Sequence, residues 1–355
     1  MNRIALVVGV TGMAGGNLAK ELVSQGWKTY GISKNSSTII PNVISVKADL
    51  RDKESLESAL YEVHPTHVFF TSWMRMSSEK ENIKVNGVMV RNLLDVVSSK
   101  NSVQHVALVT GLKHYLGPFE AYATNGNLPE TPVREDHPRL AYDNFYYAQE
   151  DEVFNAAKRD GFTWSIHRPH TLIGNAVGNL MNLGTTLAVY ASLCKQEGTV
   201  FKFHGSKEQW NGLSDVTDVE VLAKHLIWAS TTPDASNQAF NIVNGDIFRW
   251  SWLWKKIAQW FEVEYIGYHQ DSSSLEEIMH DKGKLWEELA IEHELVEKDL
   301  YKVSSPWHTD ADLSRPIEVI TDMTKSRLMG FKEYKSTKQS FFDLFVQLRE
   351  NNIIP

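Results

Sequence analysis

The chain has one cysteine, Cys194, among its 355 residues. A single cysteine excludes an intrachain disulfide framework and any zinc site built from several thiolates, so we expect Cys194 to be a core residue of a helix. Long apolar runs are missing as well, since even residues 4–8 fall far short of the length that crosses a bilayer. No charged-then-apolar leader precedes Arg3, so no signal peptide is predicted and a cytoplasmic location is expected.

An excess of positive charge is also missing. Lysine and arginine number 36 against 44 aspartate and glutamate residues, which leaves a net charge of −8. This balance argues against binding to nucleic acid or to anionic membranes. The 13 histidines form no metal-ligating pattern, so no metal is expected. With 42% hydrophobic and 23% charged residues, the composition is that of a folded protein with a sizeable core.

Short strands and helices alternate through the first half of the chain. Strands are predicted at residues 4–8, 28–32, 43–46, 67–71, 106–109 and 163–168, and helices at 17–25, 53–62, 79–99 and 144–159. This order is typical of a Rossmann-type α/β fold, a doubly wound parallel sheet that binds ligands at the carboxyl ends of its strands. Later residues favour helices at 183–196, 219–230 and 252–261, and a charged helical segment at 274–299.

Glycines follow the first strand at the spacing G-x-x-G-x-x-G, as Gly9, Gly12 and Gly15, with Thr11 and Met13 between them. Glycines at this spacing allow a tight turn and let backbone N–H groups approach a pyrophosphate at a helix N-terminus. The alternative is a plain strand–helix turn. The position directly after an apolar strand favours dinucleotide binding.

The end of the second strand indicates which dinucleotide is bound. NAD sites usually place a carboxylate there, about 20 residues beyond the glycines, to bond the ribose 2′-OH. This chain has Ser33, Lys34 and Asn35 instead, so nothing repels a 2′-phosphate and Lys34 attracts one. NADPH, or NADP+, is therefore the expected cofactor. The alternative is that Lys34 is a solvated surface residue, and a lysine lacks the bidentate fork of arginine.

Further cofactor contacts are expected where the other strands end. Asp49 and Leu50 follow the third strand and fit an adenine-contacting turn, although Asp49 can equally cap the next helix. The remaining expected contacts lie at the carboxyl ends of later strands or on the following helix, and they are Thr71, Ser72, Thr110, Gly111, Tyr146, Pro169 and Leu172.

We expect two interleaved domains. Residues 1–174 are predicted to form the NADP-binding Rossmann domain, to which residues 211–246 return. Residues 175–355 are predicted to form a smaller, mostly helical lobe that supplies the walls of the substrate pocket.

Two adjacent tyrosines, Tyr146 and Tyr147, begin the helix that follows the fifth strand. They lie about 100° apart on a helix, so only one faces the cofactor, and spacing does not choose between them. In ordinary short-chain dehydrogenases a lysine stands four residues after the catalytic tyrosine, but here that position is Glu150. Lys113, just past the fifth strand, can bring an ammonium group near the Tyr146 hydroxyl instead. The alternative for either tyrosine is ordinary core packing.

Several motifs together resemble the progesterone 5β-reductase/iridoid synthase family of atypical extended short-chain dehydrogenases. They lie at residues 9–12, 110–115, 117–120, 144–151, 164–169, 210–215 and 240–246, so the resemblance covers essentially the whole chain. It implies NADPH-dependent reduction of the C=C bond of activated enones, which are α,β-unsaturated carbonyl compounds. In this resemblance Lys113 corresponds to the catalytic lysine and Tyr146 to the catalytic tyrosine.

The chain departs from that family at two places. Plant members carry two arginines after the second strand where this chain has Lys34 and Asn35. The residue after Arg168 and Pro169 is commonly glycine but is His170 here. A side chain at that position can change substrate fit or supply an extra acid. No partner for it is visible in the sequence, so a bystander role is favoured.

The implied chemistry is hydride transfer to the β-carbon of the enone, which places negative charge on the carbonyl oxygen. A hydrogen bond from Tyr146 and the positive potential of Lys113 would stabilise that enolate, and solvent can protonate the α-carbon. An apolar substrate needs aromatic walls. The candidates are Trp73, Tyr115, Phe119 and Trp307, each of which has core packing as its alternative.

Two functions from other classes remain open. One is a non-enzymatic NADPH-sensing protein, which predicts a defective catalytic pair. The other is a nucleotide-sugar epimerase or dehydratase, which predicts the helix-borne lysine that Glu150 replaces. A small apolar enone is the expected partner, without nucleic acid or membrane, and the sequence is compatible with a homodimer.

Overall fold

The computed structural model describes residues 3–34, 40–117, 129–176, 178 and 181–355. Its strands are β1 (Ile4–Val8), β2 (Lys28–Ser33), β3 (Val43–Lys47), β4 (His67–Phe70), β5 (His105–Val109), β6 (Thr163–Pro169), β7 (Leu172–Ile173), β8 (Phe201–Lys202), β9 (Thr217–Asp218), β10 (Gln238–Ile242) and β11 (Tyr265–Ile266). Within the described ranges, seven of them form one sheet in the order β10-β6-β5-β4-β1-β2-β3. Every pair in it is parallel. The predicted Rossmann-type fold is confirmed.

Helices of very different length connect and cover the strands. They are α1 (Met13–Ser24), α2 (Lys53–Ala59), α3 (Glu79–Ser98), α4 (Lys113–Leu116), α5 (Phe145–Asp160), α6 (Leu183–Glu197), α7 (Lys207–Asn211), α8 (Val219–Thr231), α9 (Trp250–Phe261), α10 (Leu275–Met279), α11 (Gly283–Glu292), α12 (Leu300–Val303), α13 (Pro306–Leu313), α14 (Thr324–Leu328) and α15 (Thr337–Glu350). In the part of the chain that the structure describes, none is both long and apolar enough to span a membrane.

Strand β1 shows why this sequence folds as a sheet covered on both faces. Ala5 and Val7 pack into the core beneath α1 and α8. Leu6 and Val8 point the other way and pack into the core beneath α3 and α5. Because side chains alternate along a strand, a continuous apolar run buries both faces only when helices cover both.

A separate hydrophobic core holds the second half together. It is built from α6, α9, α11 and α15, and its largest buried side chains include Trp254, Trp286 and Phe341. Cys194 lies in α6 and is 3% exposed, as expected. Two later elements join the first half of the chain, since β10 extends the sheet beyond β6 and α8 packs beside α1.

Two predicted helices have different bounds in the structure. Helix α1 begins at Met13 rather than at residue 17, because Gly12 is the N-cap and the glycines that follow belong to the first turn. The segment 274–299 is not one helix. It contains α10 and α11, and a second break follows at Glu294, whose φ is +52°.

Candidate active site

The loop between β1 and α1 requires glycine at two positions. Gly9 has a φ of +81°, a conformation that L-residues rarely adopt. A Cβ atom at Gly15 would lie 2.3 Å from the Gly9 carbonyl oxygen and 2.7 Å from the Thr71 hydroxyl oxygen. The backbone of this loop is therefore closely packed, and a side chain at Gly15 would not fit.

The same loop presents the N-terminus of α1. Gly12 is the N-cap and supplies no capping side chain, and the first turn holds no acidic residue. Its N–H groups and the positive end of the helix dipole are thus available to an anion. Thr11 is exposed in the loop, whereas Met13 is buried. These residues fit a dinucleotide pyrophosphate.

Two cations share one carboxylate beyond the end of β2. Lys34 Nζ lies 3.2 Å from Asp49 Oδ2, and Arg51 donates to both Asp49 oxygens at 3.1 and 2.8 Å. Hydrogen bonds from Arg51 and Lys34 hold the pKa of Asp49 far below its usual range, although partial burial opposes them. The cluster keeps a net positive charge, which suits a 2′-phosphate. The sequence interpretation missed Arg51, and only its nearness to Asp49 in the chain signalled it.

The other residues at this edge are placed as follows. Asp52, and not Asp49, caps α2 by accepting from the Ser55 N–H. Leu50 follows Asp49, and its carbonyl accepts from the Asn92 amide at 3.1 Å. Ser33 ends β2 and is buried. Asn35 lies outside the described residues.

Thr71 and Ser72 support the glycine loop from the end of β4. The Thr71 hydroxyl donates to the Val8 carbonyl at 2.7 Å. A Cβ atom at Gly9 would lie 3.0 Å from Ser72 Cβ. Both residues therefore lie under the loop that would carry the pyrophosphate.

The Tyr146 hydroxyl lies at the carboxyl ends of β5 and β6. A Cβ atom at Gly111 would lie 3.3 Å from Tyr146 Oη and 3.5 Å from the Pro169 carbonyl oxygen. Thr110, which is buried, donates its N–H to the His167 carbonyl at 2.8 Å and fixes β5 to β6 here. Leu172 follows in β7 and is half-buried. A side chain on Gly111 would therefore fill the space beside the Tyr146 hydroxyl. We call this space, which Gly111 and the Pro169 carbonyl border, the Tyr146 cradle.

The structure separates the two tyrosines. Tyr147 donates its hydroxyl to the His114 carbonyl at 2.6 Å and accepts from the Leu140 N–H at 3.0 Å. Among the described residues, no hydrogen bond engages the Tyr146 hydroxyl. Burial raises the pKa of Tyr146, and the nearby charge of Glu79 raises it further. Tyr146 is therefore protonated at neutral pH and able to donate.

Lys113 makes an ion pair that the sequence interpretation missed. Its Nζ lies 2.8 Å from Glu79 Oε2 and 4.8 Å from the centre of the Phe145 ring. Among the described residues, no hydrogen bond joins Lys113 to Tyr146. Glu79 stands in the first turn of α3, where acidic residues are common, so nothing in the sequence distinguished it.

The helix position that holds lysine in ordinary short-chain dehydrogenases is filled by a buried carboxylate. Glu150 is 1% exposed and accepts from Arg168 at 3.2 Å and from Arg139 at 2.9 Å. Burial alone would raise the pKa of Glu150, but its contacts with His114, Arg168 and Arg139 lower it. A lysine at this position would face two guanidinium groups, which excludes the usual arrangement.

Aromatic side chains line the region beyond β4. Trp73 stacks on Phe145 with a centroid distance of 5.1 Å and an interplanar angle of 21°. Trp307, in α13, lies under the Arg75 guanidinium at 4.0 Å. Both tryptophans are half-buried, so each has a face left for a ligand.

The two other predicted pocket residues are Tyr115 and Phe119. Tyr115 is 3% exposed, and its hydroxyl donates to Asn241 at 2.7 Å and accepts from Arg168 at 3.0 Å. This placement argues against direct contact with a substrate. Phe119 lies outside the described residues. Within the described ranges, no three His, Cys, Asp or Glu side chains converge as metal ligands would.

Comparisons with known proteins show the family of this chain. Residues 42–355 match the PRISE-like Rossmann-fold domain. The (S)-8-oxocitronellyl enol synthase of Nepeta cataria is 38% identical over 366 residues, which cover 99% of this chain and 93% of the relative. The 3-oxo-Delta(4,5)-steroid 5-beta-reductase of Arabidopsis thaliana is 38% identical over 367 residues, with 99% and 93% covered.

More distant solved structures share the fold alone. The UDP-glucose 4-epimerase of Thermotoga maritima superposes with a TM-score of 0.68 at 14% identity, over 98% of this chain and 99% of that one. An epimerase from Methanothermobacter thermautotrophicus gives 0.69 at 16% identity, over 99% and 93%. On the match of the domain and of full-length relatives, this chain belongs to the PRISE-like Rossmann-fold family.

Proposed function

We propose that this protein is an NADPH-dependent reductase of the C=C bond of activated enones. The observation that carries the proposal is the Tyr146 hydroxyl, protonated and without a hydrogen-bond partner among the described residues, beside the cradle at Gly111 and Pro169. Relatives at 38% identity are an 8-oxocitronellyl enol synthase and a steroid 5-beta-reductase, which supports an enone substrate. When bound, NADPH supplies the hydride.

The role of Tyr146 follows from its protonation state. A carbonyl oxygen that becomes an enolate gains negative charge and needs a hydrogen-bond donor at that point. The Tyr146 hydroxyl is a donor because burial keeps its pKa above the neutral range. Tyr147 is excluded from this role, because its hydroxyl is engaged with His114 and Leu140.

Lys113 contributes a positive charge at the same edge, and Glu79 fixes where that charge lies. Glu79 accepts from Lys113 through one oxygen and from the Phe145 N–H at 2.8 Å through the other. It therefore ties the lysine to the first residue of the helix that carries Tyr146. The pairing also weakens the potential of Lys113 at the enolate, since the two charges partly cancel.

The cofactor and substrate assignments complete the proposal. The glycine loop takes the pyrophosphate, and Lys34 with Arg51 takes the 2′-phosphate, which favours NADPH over NADH. Residues 1–174 and 211–246 bind the cofactor, and 175–355 supplies Trp307 to the substrate wall. A small apolar enone suits a pocket between Trp73 and Trp307.

Neither alternative function has comparable support. An epimerase of the extended fold needs the helix lysine, and Glu150 occupies that position within an arginine pair. A non-enzymatic NADPH sensor has no need for a half-buried, protonated tyrosine, or for a lysine that Glu79 holds in place. As parts of the same proposal, we expect a cytoplasmic protein that can form a homodimer, which cell fractionation and light scattering would check.

The deciding experiment is NADPH consumption against a panel of enones, saturated ketones and UDP-sugars. We expect consumption with enones alone and a saturated carbonyl compound as product. Epimerisation consumes no NADPH overall, so the UDP-sugars are also analysed by chromatography, and conversion of one into its epimer would favour the epimerase function. Tight NADPH binding without consumption by any compound would favour the sensor.

A further inference from the structure

The side chain of His170 is bonded at both ring nitrogens, although it stands next to the proposed reaction edge. It follows Pro169 at the end of β6 and is 6% exposed. Nδ1 lies 2.8 Å from Asp215 Oδ1, and Nε2 lies 2.8 Å from Arg315 Nη1. Both partners lie far from residue 170 in the chain, so no sequence pattern indicated them.

These contacts fix the tautomer of His170. A guanidinium group only donates, so Nε2 must be the unprotonated acceptor. Nδ1 then carries the proton and donates to Asp215. A histidine held in this way has no lone pair or proton left for a substrate, so it is not an added acid.

The same contacts extend to the wall of the pocket. Arg315 also donates to Asp312, whose other oxygen accepts from the Thr171 hydroxyl at 2.9 Å. Asp312 belongs to α13, the helix that carries Trp307. On the other side, Asp215 accepts from the Thr321 N–H at 2.7 Å. His170 thus connects the end of β6 to two segments of the helical lobe.

We propose that His170 is a positioning residue that sets the distance between the end of β6 and the Trp307 wall, and so determines which enones fit. The proposal rests on the enone reductase function. Pro169 borders the Tyr146 cradle, and α13 carries Trp307, which is one of the proposed pocket residues. The imidazole between Asp215 and Arg315 therefore fixes the width of the pocket rather than its chemistry.

The test compares variants that keep or remove the two hydrogen bonds. A glutamine amide has one donor and one acceptor, so His170→Gln can serve both Asp215 and Arg315, whereas His170→Leu can serve neither. His105→Leu is the matched control. His105 is also buried with both nitrogens bonded, to Thr163 at 2.8 Å and Ser165 at 2.9 Å. It differs in lying at the amino end of its strand, β5, whereas His170 follows the carboxyl end of β6.

The measurement is kcat and KM for a short cyclic enone and for a bulky bicyclic enone, with NADPH affinity by fluorescence titration. We expect His170→Leu to change the ratio of kcat/KM between the two enones by about 10-fold or more, because small displacements of a pocket wall alter fit on that scale. NADPH affinity should stay within about twofold, since no cofactor contact is removed. His170→Gln and His105→Leu should keep the wild-type ratio.

Failure of this proposal is distinguishable from failure of the proposed function. If the wild-type protein reduces no enone, the function is wrong. If it reduces both and His170→Leu keeps the wild-type ratio, the positioning role is wrong. Should His170→Leu fail to fold, nitrogen-15 NMR of the wild-type imidazoles decides independently of activity. A neutral ring protonated at Nδ1 supports the proposal, and a proton at Nε2 overturns it.

Discussion

Lys113 and Glu79 form an ion pair at 2.8 Å, and the same glutamate accepts from the first N–H of the helix that carries Tyr146. One carboxylate therefore holds both the lysine and the start of the tyrosine helix. Burial alone would raise the pKa of Glu79, but the hydrogen bonds from Lys113 and the Phe145 N–H lower it. The carboxylate is thus ionised wherever the protein works near neutrality.

Removing this carboxylate should impair catalysis more than folding. In Glu79→Ala, Lys113 and the start of α5 lose their common anchor, and turnover of an enone should fall by about 10-fold or more. Glu79→Gln should lose less, because its amide oxygen still accepts one of the two hydrogen bonds. Glu81→Ala is the control, since Glu81 is an exposed acid in the same first turn. Steady-state kinetics and melting temperatures would separate the effects, and equal turnover in both alanine variants would contradict a positioning role for Glu79.

Loss of the hydroxyl should affect turnover at Tyr146 and the free energy of unfolding at Tyr147. Tyr146→Phe removes the proposed enolate donor and should lower turnover by about 10²–10³-fold, as loss of one oxyanion-hole donor does. Tyr147→Phe removes hydrogen bonds to His114 and Leu140, so it should lower the free energy of unfolding by about 1 kcal/mol and leave turnover nearly intact. Adding Lys113→Met to Tyr146→Phe should be less than additive, because both groups act on one oxygen.

Kinetics on a weakly and a strongly activated enone would check this assignment. Tyr146→Phe should lower turnover of the strongly activated enone less than that of the weakly activated one, since its enolate needs less stabilisation. A dead Tyr147→Phe beside a fully active Tyr146→Phe would reverse the roles of the two residues.

Two substitutions in the cluster around Asp49 should change NADPH affinity in opposite directions. Lys34→Ala should lower the affinity for NADPH by about 10-fold and leave the affinity for NADH nearly unchanged. The loss is at the lower end for a charge-assisted hydrogen bond, because Asp49 competes for Lys34. Asp49→Asn should instead strengthen NADPH, since it frees positive charge of Lys34 and Arg51 for the 2′-phosphate. Isothermal titration with both cofactors measures this, with Lys47→Ala as an exposed-lysine control. Equal losses for NADPH and NADH would remove Lys34 from the 2′-phosphate site.

Sequence reasoning succeeded where local pattern decides structure. The apolar run of β1 requires cover on both faces, and β1 lies between β4 and β2 as a buried parallel strand, as expected. The glycine spacing predicted a tight turn after β1, and Gly9 and Gly15 stand at the points where that turn leaves no room for a side chain. Sequence reasoning placed the start of α1 four residues too late, because Gly12 is the N-cap and Gly15 lies within the first turn.

The rest of the site depends on contacts between distant segments. Glu79 and Lys113 are separated by a strand and a long helix, and His170 meets Arg315 from 145 residues away in the chain. Such partners follow from tertiary packing and leave no periodicity or spacing in the chain. The choice between Tyr146 and Tyr147 was open for the same reason, since Tyr147 is engaged by the backbone of His114.

A buried chain of hydrogen bonds crosses β5, β6 and α8. His105 bonds Thr163 and Ser165, Ser165 bonds His167 at 2.8 Å, and His167 bonds His225 at 2.8 Å. Burial lowers the pKa of His105 to about 3 and that of His225 to about 3, and it also lowers the pKa of His167 well below 6.5. These imidazoles are therefore neutral in the folded protein.

The buried histidines should make the protein sensitive to acid well above the pKa range of carboxylates. A histidine whose folded pKa lies below its unfolded value of 6.5 binds more protons when unfolded, so stability is lost as pH falls below 6.5 and stops falling near the folded pKa of about 3. Between pH 6.5 and pH 5 each such histidine should lower the free energy of unfolding by about 2 kcal/mol. Urea denaturation at pH 8, 6.5 and 5 measures the slope. His105→Gln should flatten the slope by one histidine while lowering stability at pH 8, and an unchanged slope would show that His105 titrates normally in the folded state.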